Sequence, residues 1–176
     1  MIRHALFTSF MIFETPRLIV RQLSFADADN FYTLNSDPDI VRFIRPPRTR
    51  AESDEKLKEA IQVNNTNKNG FGGWVVETKG DHDFVGFFCL FTLPDSNEIN
   101  MGYSLLKRNW GFGYATEFTK AGIKYCFNKL QLKRLVATTA PENIASQKIL
   151  LKCGFTQAPS FYEYGAMIYK FFLDCP

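Results

Sequence analysis

At 176 residues, with 45% hydrophobic and 22% charged side chains, the chain has the size and composition of one compact globular domain. The 21 Lys/Arg against 18 Asp/Glu leave a net charge of +3, with no basic run long enough to follow a nucleic-acid backbone, so nucleic acid is excluded as a partner while a small polyanion suits the surface. No apolar run reaches the roughly 20 residues that span a bilayer, and the scattered Cys89, Cys126, Cys153 and Cys175, with His4 and His82 remote from them, make neither a disulfide framework nor a metal site, so a cytoplasmic protein with reduced thiols and no metal is expected.

Residues 1–12 read as an N-terminal extension and 13–176 as the domain. The apolar stretch at 1–13 lacks a long h-region and a cleavage site, so it is not read as a signal peptide, and Met11 is as good a start as Met1. Alternation from Thr15 to Leu23 predicts a first strand, and Ser24 caps a helix over Phe25 to Asn35 with Asp27 and Asp29 in its first turn. A short helical piece opens at Asp37-Pro38 and ends at Arg45-Pro46-Pro47, where amide donors are lost; an amphipathic helix follows over Ala51 to Asn64. Trp74 to Thr78, Phe84 to Leu93 and Ile99 to Leu106 predict an antiparallel meander with turns at Gly80-Asp81 and Pro94-Asp95-Ser96-Asn97. The period then changes, because Ala115, Phe118, Gly122, Cys126 and Leu130 mark one face of a helix over Gly113 to Leu130. A strand at Arg134 to Thr139, a helix over Asn143 to Cys153 closed by Gly154, and two strands around Gly165 complete a mixed α/β sheet in a single domain.

Two segments carry chemistry. Trp110-Gly111-Phe112-Gly113-Tyr114-Ala115-Thr116 places a glycine-rich turn between a strand and a helix start, where unpaired amides and about half a positive charge from the macrodipole form a phosphate cradle. Taken alone it reads equally as a tight turn needing two glycines. A dinucleotide fingerprint fails, since its third glycine would fall at Thr116. In Pro141-Glu142-Asn143-Ile144-Ala145-Ser146, Asn143 is placed to cap a helix, with Ser146 one turn on.

Together these pieces, with Glu14 to Leu23, Gly102 to Leu105, and Lys152 to Phe155, resemble the GNAT N-acetyltransferases, in family order over nearly the whole chain, and within them the RimJ/RimL-like branch that includes ribosomal-protein N-terminal acetylases. The resemblance implies a sheet whose central strands splay to admit the pantetheine arm of acetyl-CoA. It implies that the backbone of Tyr103 to Leu105 pairs with pantetheine and aims one N–H, assigned to Leu105, at the thioester carbonyl. The turn Trp110, Gly111, Phe112, Gly113, Tyr114, Ala115 and Thr116 would hold the pyrophosphate, and Asn143 and Ser146 would meet the pantetheine chain. In register, Trp110 takes the first signature position, Gly113 the first glycine and Ala115 the last small residue; Arg108 and Gly111 imitate the signature two residues early. Trp110 departs from the usual Gln or Arg, and Leu150 stands where many relatives carry a Tyr acid, which leaves Ser146 or water to protonate the leaving thiolate.

The implied reaction is attack of a neutral amine on the thioester, with the oxyanion held by a backbone N–H. Glu98 is the candidate base, beside its plain reading as a solvated acid near a turn; Glu117 and Tyr103 are weaker alternatives. The acceptor is a primary amine, either the α-amine of a protein or a small molecule such as a polyamine or amino sugar, on a monomer or homodimer. A non-catalytic CoA-binding domain is a further alternative. An acceptor cleft is expected between the region of Phe31, Tyr32 and Phe43 and the turn of Phe161, Tyr162 and Tyr164.

Overall fold

The structure is a computed structural model and describes residues 11–94, 96–163 and 165–176. The expectations that fall on His4, Met1, Asp95 and Tyr164 lie outside the described residues. Nine strands form the sheet: β1 (Met11–Glu14), β2 (Leu18–Gln22), β3 (Gly72–Thr78), β4 (Phe84–Thr92), β5 (Ile99–Leu105), β6 (Arg134–Thr139), β7 (Thr156–Gln157), β8 (Phe161–Glu163) and β9 (Ala166–Asp174). Their order is β1-β2-β3-β4-β5-β6-β9-β7, with β8 paired to β9. The helices are α1 (Ala28–Ser36), α2 (Pro38–Val41), α3 (Arg50–Thr66), α4 (Tyr114–Lys124) and α5 (Ile144–Lys152).

The strand expected over Thr15 to Leu23 is β2, Leu18–Gln22, the second arm of a hairpin whose turn spans Thr15 to Arg17. Thr15 N–H donates to the Leu18 carbonyl at 2.9 Å, turning the chain, and β1 pairs antiparallel with β2. The sheet therefore already includes Met11 and Ile12, which the sequence reading left in an extension. The expected helix at Phe25 opens as a 3-10 turn over Phe25–Asp27, fixed by a reciprocal Ser24 and Asp27 capping box, before α1 begins. α4 ends six residues earlier than its apolar stripe suggested, passing into a π-helical turn over Tyr125–Lys129 that keeps Cys126 and Phe127 buried. Beyond Gly154 there are three strands where two were expected.

Two apolar layers sandwich the sheet. On one face Phe118 of α4 and Leu150 of α5 pack in one layer with Phe88, Leu135 and Phe171 of the sheet, each at most 1% exposed. On the other, α1 to α3 cover Val75, Phe84 and Leu106 with Phe31, Leu34, Ile40 and Leu57. Gly122 lets α4 approach closely, since a Cβ there would sit 2.8 Å from the Phe88 ring. Antiparallel ladders run from β1 to β5, with register shifts at Met11/Phe13 and Val76/Glu77, and through β6 and β9, but between parallel β5 and β6 the registered pair among the described residues is Asn100 with Val136. Past that pair the two strands diverge, and Tyr103 to Leu105 keep their β4 partners only.

Candidate active site

The divergence opens a gap flanked by the start of α4 on one side and the start of α5 on the other. Leu106 N–H donates to the Val85 carbonyl at 3.1 Å, so by strand alternation the amides of Leu105 and Tyr103 face the opposite edge, toward the gap. The Leu105 carbonyl also faces away from β4 and accepts from the Trp110 indole Nε1 at 2.9 Å. That bond gives Trp110 a structural task, tying the turn to the end of β5.

In the turn, Gly111 and Gly113 have φ of +83° and +77°, conformations that only glycine adopts without strain. Residues 110–113 are exposed. The first helical bond of α4 runs from Glu117 N–H to the Gly113 carbonyl at 3.1 Å, so the amides of Tyr114, Ala115 and Thr116 have no intrahelical acceptor. A Cβ on Gly111 would meet nothing of the protein within 4 Å, so the turn faces open space. The turn therefore fits a pyrophosphate held by backbone. Phe112 and Tyr114 stack at 5.8 Å, and the Arg17 guanidinium lies over the Tyr114 ring at 4.5 Å.

Arg17 also donates to the Phe112 carbonyl at 3.0 Å and pairs with Glu117 at 2.6 Å, while Thr15 Oγ1 and Arg17 N–H both donate to Glu117 Oε1. Burial pushes the Glu117 carboxyl up, but the bonds from Thr15 and Arg17 outweigh it and hold the group below the ordinary carboxylate range. Glu117 is thus an anchor that fixes the start of α4 to the β1 to β2 turn.

Across the gap, Asn143 Oδ1 accepts from Ser146 N–H at 3.1 Å and caps α5, leaving its Nδ2 without a partner among the described residues. Gln147 Nε2 braces the preceding turn through the carbonyls of Ala140 and Pro141. The Tyr103 hydroxyl lies 3.2 Å from Ser146 Oγ, although the two are 43 residues apart in the chain. Burial pushes the Tyr103 phenol up to about 12, so it stays protonated throughout the neutral range. Leu150 is 1% exposed in the core and presents nothing to the gap. Glu98, just before β5, accepts from Lys170 Nζ of β9 at 2.5 Å in an ion pair that reaches across β6. This pairing and the Tyr103 to Ser146 contact had no signal in the sequence, because each joins strands or helices whose register only the fold sets.

Among the aromatic residues expected to line an acceptor cleft, Phe31 is core, packed edge-on against Phe87 at 5.5 Å. Tyr32 and Phe43 lie under the guanidiniums of Arg50 and Arg42, and Tyr162 is 74% exposed on β8. An open hollow of about 320 Å³ lined by Phe13, Ala121 and Tyr125 lies toward the far end of α4 and holds none of these site residues. Among the described residues no group of three or more His, Cys, Asp or Glu gathers to hold a metal, and no helix is long and apolar enough to cross a membrane.

Diverging strands, exposed amides at a helix start and two hydroxyls in the gap make up the architecture of a transferase that draws its acyl group from a long, pyrophosphate-bearing carrier. The model of the acetyltransferase (GNAT) domain matches residues 17–156, so the chain belongs to the GNAT acetyltransferases, and acetyl-CoA is its acetyl donor. The chain is 28% identical over 162 residues to the N-acetyltransferase YoaA of Bacillus subtilis, covering 88% of each protein. Its fold is similar to that of a GNAT-family acetyltransferase from Bacillus anthracis, with a TM-score of 0.81 at 21% identity over 94% of this chain and 98% of the other. It is also similar to RimL, a ribosomal L7/L12 α-N-protein acetyltransferase solved with coenzyme A (TM-score 0.78, 14% identity, 93% and 97% covered), and to a spermidine N-acetyltransferase from Vibrio cholerae solved with coenzyme A and spermine (0.74, 19%, 89% and 95%).

Proposed function

We propose that this enzyme acetylates the α-amine of a peptide or protein N-terminus. The observation that carries the reading is the engagement of Glu98 by Lys170 at 2.5 Å. With Glu117 held by Thr15 and Arg17, both acidic base candidates are already engaged by cations and are not free to meet an incoming amine. An α-amine near 7.8 is about 10–15% neutral at pH 7, whereas a lysine amine near 10.4 is only about 0.04% neutral. A site with committed carboxylates therefore works best on an amine that needs little deprotonation. The fold is shared by RimL and by a spermidine N-acetyltransferase, so the choice rests on the residues of this chain.

Acetyl-CoA supplies the thioester carbonyl. The Leu105 N–H, aimed into the gap, stabilises the oxyanion, and Asn143 Nδ2 with the amides of Tyr114, Ala115 and Thr116 position the donor. The Tyr103 and Ser146 pair donates a hydrogen bond to the departing thiolate; a phenol at about 12 does not surrender its proton fully to a thiolate whose conjugate acid lies near 8.5, so the proton that completes free CoA is the one the amine sheds as the amide forms, passed directly or through solvent. A screen that monitors release of free CoA should give turnover on short peptides with free N-termini and none on the same peptides blocked. Turnover on polyamines or amino sugars with none on free N-termini rejects the α-amine acceptor.

A further inference from the structure

We infer that Arg45 and Arg48 form a binding site for an anionic group, a carboxylate or a phosphate, carried by the amine acceptor; this rests on the α-amine reading above. Both arginines converge on Asn35 at the end of α1. Asn35 is 4% exposed and its Nδ2 donates to the Phe31 carbonyl at 2.6 Å, which fixes Oδ1 as the acceptor. That oxygen accepts from Arg45 Nη2 and from Arg48 Nη1, the latter at 2.9 Å. The Asn35 main-chain carbonyl accepts from Arg45 Nη1 at 3.3 Å and from Arg48 N–H at 2.9 Å, and Arg45 Nη1 reaches the Pro46 carbonyl at 3.3 Å.

Every one of these acceptors is neutral. Elsewhere Arg17, Arg21, Arg50 and Arg134 each hold a carboxylate, whereas neither Arg45 nor Arg48 is in an ion pair among the described residues. The acid that feels Arg48 is Glu52, and its carboxylate is spent capping α3 through Thr49 N–H and Oγ1 at 2.7 and 2.8 Å. Two adjacent half-buried cations sharing one amide oxygen are electrostatically uncompensated. Burial and the neighbouring Arg48 accordingly lower Arg45 to about 10. The Nε and Nη2 of Arg48 have no partner among the described residues, and that edge of a guanidinium is the fork that matches an oxyanion.

The place is right for an acceptor. Pro46 and Pro47 stiffen the loop, and Arg45 N–H holds the Val41 carbonyl at 3.0 Å, so the two cations are presented on a fixed frame. α1 and α2 pack with Leu106 and Phe87 on the face of the sheet opposite α4 and α5. Asp39 of α2 pairs with Lys107 at 2.5 Å, linking this loop to the chain between β5 and the phosphate turn. On this inference the acceptor enters the gap from this face and the donor from the other, so that the acceptor's anionic group meets the arginine pair. A positive patch there also repels polyamines.

The test uses protein saturated with coenzyme A, so that the phosphate turn is filled. Calorimetric titration with inorganic phosphate, and separately with acetate, should show binding that weakens at least about tenfold in folded Arg48→Gln and Arg45→Gln variants and is partly retained in Arg48→Lys. Matched free-N-terminus peptides carrying Glu or Gln at the second position, and phosphoserine or serine at the third, should differ in KM by about tenfold with kcat nearly equal, and the difference should vanish in Arg48→Gln. The arm with the larger KM difference names the anion. Unchanged phosphate and acetate binding in both Gln variants, or a KM difference that survives them, overturns the site. If no peptide is acetylated and a polyamine is, the α-amine reading falls and so does the acceptor's anion, whichever way the titration turns out.

Discussion

At the scale of single residues, the pair of hydroxyls in the gap makes the sharpest claim. Tyr103 and Ser146 touch at 3.2 Å, so their substitutions should not act independently. Tyr103→Phe and Ser146→Ala should each lower kcat by roughly tenfold or more with acetyl-CoA affinity nearly intact, and the double variant should lose little beyond the worse single one. Additive losses in steady-state kinetics would separate the two groups and return Ser146 to a polar contact at a helix start. Glu117 gives a prediction readable without substrate. Its folded carboxyl lies below its ordinary value of 4.5, so its contribution to stability is present above that value and is lost as pH falls through the folded one. Glu117→Gln should therefore melt below the wild type at about pH 7, and the two melting curves should converge as pH drops below 4.5 and through the lowered folded value. A gap between them that stays constant with pH would mean the side chain acts through packing and not through its charge.

At the scale of elements, the meeting of α4 and β4 is set by one small residue. A Cβ on Gly122 would stand 2.8 Å from Phe88 Cζ, and that ring is held by Trp74, Phe118 and Phe13 at centroid distances of 5.7, 6.1 and 5.7 Å. Gly122→Val should cost about 1–3 kcal/mol in denaturant unfolding, since no neighbour can yield without losing its own contacts. The same helix shows what a sequence can disclose. Ala115, Phe118, Gly122, Cys126 and Leu130 announced its buried face, because burial imposes a 3.6-residue period. The π-helical turn at Tyr125 left the face unchanged and so left no mark on that period. Likewise β6 was legible from Arg134 to Thr139, while half-exposed β1 lacked the alternation that betrays a strand. At the candidate site the phosphate turn and the Asn143 cap could be read because positive φ and capping restrict residue type locally. The partners of Glu98 and Ser146 could not, since they lie 72 and 43 residues away and depend on how whole strands and helices register.

At the scale of the molecule, both halves of the sheet share one apolar layer, in which Met101 and Leu105 join Leu135 and Phe171, so thermal unfolding should be a single transition. Acetyl-CoA at about 100 times its dissociation constant should raise stability by about 2.7 kcal/mol, a gain that Gly113→Val should largely abolish; a scan of melting temperature against ligand concentration measures both. Gly113 is the position for that test because its φ of +77° at the cap of α4 strains any branched residue, while a Cβ there would meet only Arg17 Nη2, at 3.7 Å. The lone registered pair of Asn100 with Val136 has a consequence that deuterium can read. Amides of β3 and of β9 are flanked by paired strands and should exchange slowly, whereas the gap-facing amides of Tyr103 and Leu105 should exchange on the timescale of open chain. Filling the gap with coenzyme A turns the carrier's own amide arm into a surrogate strand, so protection should rise first along this seam, making the protein's least protected sheet amides its most sensitive reporters of occupancy.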